Sequence, residues 1–177
     1  MTHGDVFYGD LITTTPFENI LHNVELQGKH IRAALEFSVA KRESLMLLQM
    51  SGLKVVYKLE NKINNRIVSL NVLCRICDVP KYEPIDDEQW YRVVMPQYLA
   101  EGGDNFIMIG DNARNTKYIQ QKLNFKLSQF FNQNTFIFSY YFYGRFGLRD
   151  IDALNDYMEK FTPLALPEAQ GRITFIN

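Results

Sequence analysis

The hydrophobic period of the sequence changes at Gly28, and this change constrains the fold more than any other feature. Residues 19–27 alternate apolar and polar side chains, as a half-buried strand does. Residues 29–41 instead carry their apolar side chains on one broad stripe, at the spacing of an amphipathic helix packed against a sheet. A strand that passes directly into such a helix predicts a fold in which a sheet and a helix share one core.

The remaining elements fit one domain, residues 1–177, because a chain of this length can bury a sufficient core without disulfides or metals. Three strand-like runs are separated by turn residues and favour an antiparallel meander: Leu45–Met50, Leu53–Leu59 and Arg66–Leu73. The predicted strands are Leu45–Met50, Leu53–Leu59, Arg66–Leu73, Gln89–Pro96 and Ile173–Ile176; the predicted helices are Asp5–Thr15 and Asp150–Phe161; and the predicted connections are Pro80–Pro84 and Tyr98–Phe106. The fold class expected is α+β, with a mixed, largely antiparallel sheet flanked by helices.

The charge balance and the hydropathy exclude several classes of function. Lys and Arg number 19 and Asp and Glu number 20, which gives a net charge of -1 and no broad field to attract nucleic acid or an acidic membrane. The sequence has no apolar run of about 18 residues, so no transmembrane segment is expected. We therefore predict neither a nucleic-acid partner nor a membrane-spanning protein.

The two cysteines, Cys74 and Cys77, are separated by only two residues. Two thiols do not complete a tetrahedral zinc site, and the three histidines all lie well upstream. A redox pair of the thioredoxin kind would stand at the start of a helix, whereas this pair follows a strand-like run and leads into turn residues. A small structural disulfide, two free thiols and a redox pair remain as alternatives, and no metal site is predicted.

Residues for catalysis are harder to find than residues for binding. The sequence has no pair of closely spaced metal-ligating histidines and no Gly-x-Ser-x-Gly motif, so we predict no catalytic residue. The acidic run 86–88 is expected to form a solvated turn rather than a cation site.

Gly102, Gly103 and Asp104 could bring backbone close to a ligand and present a carboxylate to sugar hydroxyls. The neighbouring Tyr98 and Phe106 could stack on a planar base, although such aromatic residues usually belong to a core.

The order of several segments resembles the C-terminal domain of the 5'-nucleotidase family, especially the animal ecto-5'-nucleotidases. The resemblance covers residues 4–117 and 147–176. The segments that carry it are Thr15–Phe17, Val24–Lys29, Ala34–Val39, Leu48–Tyr57, Val72–Pro80, Tyr91–Val94, Tyr98–Asp104 and Gly171–Phe175.

The resemblance implies a site for a nucleoside 5'-monophosphate or adenosine. In that family two aromatic rings clamp the base and an aspartate binds the ribose; here Phe17 matches the first ring, Tyr98 the second and Asp104 the aspartate. Tyr98 departs from the more usual Phe but keeps the ring face that stacking requires. The resemblance also implies a disulfide between Cys74 and Cys77, an extracellular or cell-surface location and a homodimer as a candidate assembly.

The family's hydrolytic metals, two divalent ions that are typically zinc, belong to an N-terminal metallophosphoesterase domain that these 177 residues do not contain. We therefore expect a substrate-recognising domain that is not catalytic by itself. The competing expectations are a non-catalytic nucleoside-binding protein and a protein that keeps only the family's dimer-forming surface.

Compared with the family that the chain resembles, the segment at about 118–146 is an atypical insertion. It is rich in Asn, Gln, Lys, Phe and Tyr and contains no Asp, Glu, Pro, Val or His. Its composition suggests translated intron sequence, with a lineage-specific loop as the alternative; a transcript that encodes it in frame would refute the intron hypothesis. Within it, residues 135–143 predict an aromatic strand.

Overall fold

The computed structural model describes residues 5–41, 46–74, 76–119, 135–139, 147–161 and 171–176. The α-helices are α1 (Tyr8–Thr14), α2 (Gly28–Ser38), α3 (Gln97–Ala100), α4 (Ile107–Gly110) and α5 (Asp150–Lys160), and a 3-10 helix covers Gly103–Asn105. The strands are β1 (Leu21–Gln27), β2 (Gln49–Ser51), β3 (Leu53–Lys58), β4 (Ile67–Cys74), β5 (Lys81–Pro84), β6 (Trp90–Pro96), β7 (Arg114–Tyr118), β8 (Thr135–Ser139) and β9 (Ile173–Ile176).

The strands form two sheets, each mixed and largely antiparallel. The first has the order β2-β8-β6-β1-β7 and the second the order β5-β4-β3-β9. Only β6 with β8 and β3 with β9 run parallel among the described strand pairs. The predicted α+β class with helices beside mixed, largely antiparallel sheets is confirmed, with the strands divided between two sheets.

The predicted meander is wrong for its first strand. β3 and β4 pair antiparallel as expected, but β2 pairs with β8 in the other sheet. Only Gly52 separates β2 from β3, and a tight hairpin needs at least two loop residues. Gly52 has a φ of 82°, a left-handed conformation that glycine adopts without strain, so the chain turns into a second sheet there.

Two strands were not predicted as strands. The proline-rich connection 80–84 contains β5, which pairs with β4 at the edge of the second sheet. An edge position tolerates Pro84 because one side of the strand donates no ladder hydrogen bond. β7 is exposed along its whole length, so it has no apolar alternation by which the sequence could reveal it. In the segment 118–146, β8 confirms a strand at residues 135–139, whereas residues 140–143 of that prediction lie outside the described part.

The main core lies between the two sheets and α2. Val24 and Leu26 of β1 and Val93 and Met95 of β6 meet the second sheet there, together with the buried stripe of α2. Val94 points to the opposite face and joins a smaller cluster beside α5. Burial on both faces explains why β6 has no strict alternation of polar and apolar residues.

The predicted helix at 29–41 is confirmed as α2, which begins one residue earlier and ends at Ser38. Ile31, Ala34 and Leu35 are fully buried, as the apolar stripe predicts. Neither α2 nor α5, with 11 residues each, is long enough to cross a membrane, and no other described helix is.

The first turn of α2 is fixed by a close backbone approach. A Cβ at Gly28 would lie 2.2 Å from the carbonyl oxygen of Asp86, so only glycine fits. The N–H groups of Gly28 and Lys29 donate to the carbonyls of Gln89 and Asp87, which satisfies two of the amides that a helix start leaves unpaired.

The acidic run 86–88 is consequently more than a solvated turn. Asp87 pairs with Arg32 at 3.0 Å and Glu88 pairs with Lys29 at 3.2 Å, and both bridges connect the run to α2.

The other end of α2 is fixed by Glu36 and Arg66. The Glu36 carboxylate accepts the backbone N–H groups of Arg66 at 2.9 Å and Ile67 at 2.8 Å, at the start of β4. In return, the Arg66 guanidinium donates to the carbonyls of Val39 and Ala40 just beyond the helix. Both side chains are buried, so each satisfies backbone groups that solvent does not reach.

We predict that Glu36→Ala lowers the free energy of unfolding by about 2–4 kcal/mol, because the backbone amides of Arg66 and Ile67 lose a charged acceptor in a largely buried position. Urea denaturation measures this change. Glu83→Ala, which removes a surface pair with Lys81, should change it by less than about 1 kcal/mol. Equal effects of the two substitutions would contradict the role given to Glu36.

Candidate functional site

Two of the predicted site residues lie at the same end of a strand pair. β1 and β6 are antiparallel, with Leu21 opposite Pro96, so the chain enters β1 where it leaves β6. The N–H of Gln97 donates to the carbonyl of Ile20 at 2.8 Å and closes this end of the pair. Phe17 stands four residues before β1 and Tyr98 two residues after β6. The segments that lead to the two aromatic residues therefore start from adjacent backbone positions, Ile20 and Gln97.

Phe17 occupies the turn between α1 and β1. Phe17 is 43% exposed, so part of its ring is accessible to a ligand. The next residue, Glu18, has a φ of 49°, which a non-glycine residue rarely adopts.

An ion-pair network missed by the sequence analysis holds this turn. Arg149, just before α5, donates to Glu18 at 2.7 Å and to both carboxylate oxygens of Asp152 at 2.6 and 2.7 Å. Hydrogen bonds to Asp152, and then to Glu18, raise the pKa of the Arg149 guanidinium above its ordinary value. Glu18 and Arg149 are 131 residues apart, so no local sequence signal reveals the pairing.

A second long-range contact supports the same turn. The side chain of the fully buried Asn19 donates to Asp150 at 3.1 Å, and the Asp150 N–H donates to the carbonyl of Asn19 at 2.8 Å. Burial raises the pKa of the Asp150 carboxyl, and the hydrogen bond from Asn19 opposes that shift. The turn that carries Phe17 is thus attached to the start of α5 through both Glu18 and Asn19.

Tyr98, Gly103 and Asp104 contact one another in the segment that follows β6. The Tyr98 hydroxyl donates to Asp104 Oδ1 at 2.9 Å and accepts the backbone N–H of Asp104 at 3.2 Å. A Cβ at Gly103 would lie 2.4–2.6 Å from the Tyr98 ring, so the ring rests directly on the glycine backbone. The structure therefore brings these three predicted residues together.

The segment that holds these residues is more ordered than the predicted loop at 98–106. α3 ends at Ala100, and the 3-10 helix then covers residues 103–105. Gly102, Asp104 and Asn105 have positive φ values of 87°, 51° and 65°. Two adjacent non-glycine residues in the left-handed region indicate stored backbone strain, which concentrates at functional sites.

Phe106 does not belong to the site. It is 3% exposed, and its ring packs edge-on against Phe37 with a centroid distance of 5.0 Å. Its suggested role in base stacking is therefore wrong, and the ordinary alternative, a core aromatic residue, holds.

The cysteine pair forms a disulfide between Cys74 and Cys77, which confirms the structural interpretation. Among the described residues, the group with ligand atoms close enough for a metal consists of these two cysteines and Glu83, within 4.8 Å of one another. Sulfurs joined in a disulfide are not thiolates, so this group does not fit a structural zinc ion.

The structure thus defines an α+β domain that carries two aromatic side chains and a carboxylate at one end of the β1–β6 strand pair. The chain belongs to the 5'-nucleotidase family, because the model of the family's C-terminal domain, described as "5'-nucleotidase, C-terminal domain", matches residues 1–111.

Relatives agree with this assignment. The chain is 40% identical over 177 residues to a 5'-nucleotidase-related protein of Glossina morsitans morsitans and 35% identical over 179 residues to an apyrase of Tabanus yao. Each alignment covers 98% of this chain and 27% of the relative. The crystal structure of a 5'-nucleotidase precursor from Thermus thermophilus has a TM-score of 0.73 and 26% identity, over 97% of this chain and 28% of that one. The chain thus spans little more than a quarter of the length of these proteins.

We predict that Gly103→Ala lowers the free energy of unfolding by about 1–3 kcal/mol, because the new Cβ displaces the Tyr98 ring. Gly9→Ala is the matched control: it lies in α1 with nothing within 4 Å of its added Cβ. It should stabilise the helix by up to about 1 kcal/mol. Chemical denaturation followed by the fluorescence of Trp90 measures both, and a neutral Gly103→Ala would contradict the close packing of ring on backbone.

Proposed function

We propose that the chain is the substrate-recognising domain of a 5'-nucleotidase, and that it binds the base and the sugar of a nucleoside 5'-monophosphate. The observation that carries this proposal is the unit of Tyr98, Gly103 and Asp104, in contact with one another at the strand end that also carries Phe17. The aromatic ring is suited to the planar base of a nucleoside, and the carboxylate beside it is suited to the hydroxyls of the sugar.

The roles of the residues follow from their chemistry. The rings of Phe17 and Tyr98 would stack on the planar base, a contact worth about 1–3 kcal/mol per stacked base. The Asp104 carboxylate would accept hydrogen bonds from sugar hydroxyls, and its charge strengthens them. Gly102 and Gly103 would let the ligand approach the backbone of the turn, because neither carries a side chain.

Hydrolysis of the phosphate ester needs groups that the described residues do not supply. From the family resemblance we expect two divalent metal ions, typically zinc, in a separate N-terminal metallophosphoesterase domain. The group formed by Cys74, Cys77 and Glu83 does not fit such ions, so we assign no hydrolytic step to this chain. Its contribution to the reaction would be positional, since holding the base and sugar fixes where the phosphate lies.

We also propose an extracellular or cell-surface location. The Cys74–Cys77 disulfide supports it, because disulfides persist in oxidising compartments and are rare in the cytosol. A homodimer remains a prediction from the family resemblance, as does the partnership with a metal-bearing domain.

We predict that Asp104→Ala weakens adenosine binding at least about tenfold, because the sugar hydroxyls lose a charged acceptor. Calorimetric titration of the 177-residue chain measures the affinity. Asp111→Ala removes an exposed carboxylate that follows α4 and should leave the affinity unchanged. Equal affinity of the Asp104→Ala variant and the unaltered chain would remove Asp104 from the site.

Phe17→Ala should weaken adenosine binding by about fivefold or more, since one of the two stacking faces disappears. Phe161→Ala is the matched control, because Phe161 is similarly exposed, at 48% against 43%, but lies at the end of α5. If both phenylalanine variants lose affinity to the same extent, stacking on Phe17 is not the cause.

An assay of AMP hydrolysis on the same samples in the presence of zinc separates the candidate functions. Binding without hydrolysis agrees with a recognition domain, and also with the alternative of a non-catalytic nucleoside-binding protein. Restoration of hydrolysis by a metal-bearing domain of the family would then distinguish these two. Chelator-sensitive hydrolysis by the purified chain alone would contradict the assignment of the chemistry to another domain.

A further inference from the structure

The Tyr98 hydroxyl makes two hydrogen bonds to a single residue. It donates to the Asp104 carboxylate at Oδ1 and accepts the backbone N–H of the same residue. A phenolic hydroxyl can act as donor and acceptor at once, so one atom fixes both the side chain and the main chain of Asp104. The family resemblance does not supply this feature, because the usual phenylalanine has no hydroxyl.

Asp104 needs such support because its backbone is strained. Its φ and ψ of 51° and 30° fall in the left-handed region, which costs a non-glycine residue about 1 kcal/mol or more. Asn105 is in the same region, and Gly102 precedes them with a φ of 87°. Strained conformations persist only where the surroundings determine them.

Contacts with the neighbouring backbone restrict the position of the Tyr98 ring and hence of its hydroxyl. It lies on the backbone of Gly103, with no space for even a Cβ between them. α3, which carries Tyr98, begins at the hydrogen bond between Gln97 and Ile20 and is thereby joined to the start of β1. The first sheet, rather than the turn that contains Asp104, therefore determines the position of the Tyr98 hydroxyl.

We propose that Tyr98 is a positioning residue for the sugar, in addition to its stacking role. Its hydroxyl holds Asp104 Oδ1, and no donor among the described residues contacts Oδ2. Oδ2 is thus kept as the acceptor for a sugar hydroxyl, in a carboxylate whose rotation is already restricted. Binding then loses less conformational entropy than it would with a freely rotating carboxylate. This inference rests on the proposed function, in which Asp104 binds the sugar.

The test compares adenosine with adenine, which has the same base and no sugar. Tyr98→Phe keeps the ring and its contact with Gly103 but removes both hydrogen bonds. We expect it to weaken adenosine binding about two- to tenfold, because the released Asp104 carboxylate must then be immobilised on binding, and to leave adenine binding unchanged. Tyr82→Phe is the matched control, because Tyr82 lies in β5 of the other sheet; it should change neither affinity.

A double variant adds a readout that a general loss of stability would not produce. If the hydroxyl acts through Asp104, Tyr98→Phe should cause no further loss of adenosine affinity in a chain that already carries Asp104→Ala. Hydrogen exchange of the Asp104 amide gives a second readout without ligand: it should become faster in Tyr98→Phe, because the amide loses its acceptor.

Each outcome decides between the two proposals. If Asp104→Ala loses adenosine affinity and Tyr98→Phe does not, the positioning role is overturned and the proposed function stands. If Tyr98→Phe lowers the affinities for adenosine and adenine equally, the hydroxyl supports the stacking ring rather than the sugar contact. This result also overturns the positioning role. If the unaltered chain binds neither compound, the proposed function fails and the positioning role fails with it.

Discussion

The approach of Gly28 to the backbone of residues 86–89 is the contact on which the remaining structure depends. It places the start of α2 against the segment that leads into β6, and the amides of Gly28 and Lys29 fix the distance. At the other end of the helix, Glu36 and Arg66 join α2 to the start of β4. One helix of 11 residues thereby sets the spacing of two sheets and encloses the core between them.

The candidate site follows from this arrangement. Because β6 is held by α2 and by its register with β1, the turn that carries Phe17 and the helix that carries Tyr98 leave the first sheet side by side. Each is then fixed separately: the Phe17 turn by Arg149 and Asp150 at the start of α5, and Tyr98 by Gly103 and Asp104. Ligand-binding residues often lie on turns at the end of a rigid sheet. The contacts of the surrounding structure keep such turns in conformations that would otherwise be unfavourable.

The spacing of apolar residues predicted those helices and strands whose formation depends on neighbouring residues in the sequence. The apolar stripe of α2 and the strands β1, β3 and β4 follow from periodicity. The resemblance predicts one site formed by Phe17, Tyr98 and Asp104, and the structure joins Tyr98 to Asp104 by hydrogen bonds. The partner of β2, the edge strand β5 and the Arg149 network depend on contacts with other parts of the chain, so periodicity could not reveal them. The bond between Tyr98 and Asp104 joins residues only six apart, but it depends on the left-handed backbone at Asp104, which an aspartate permits without requiring it.

A crystal structure of the chain with adenosine would show which atoms contact the ligand. We expect the base to lie against the rings of Phe17 and Tyr98 and a sugar hydroxyl to bind Asp104 Oδ2, with the Tyr98 hydroxyl still bonded to Oδ1. Adenosine bound elsewhere on the chain, or bound here with its sugar turned away from Asp104, would contradict it.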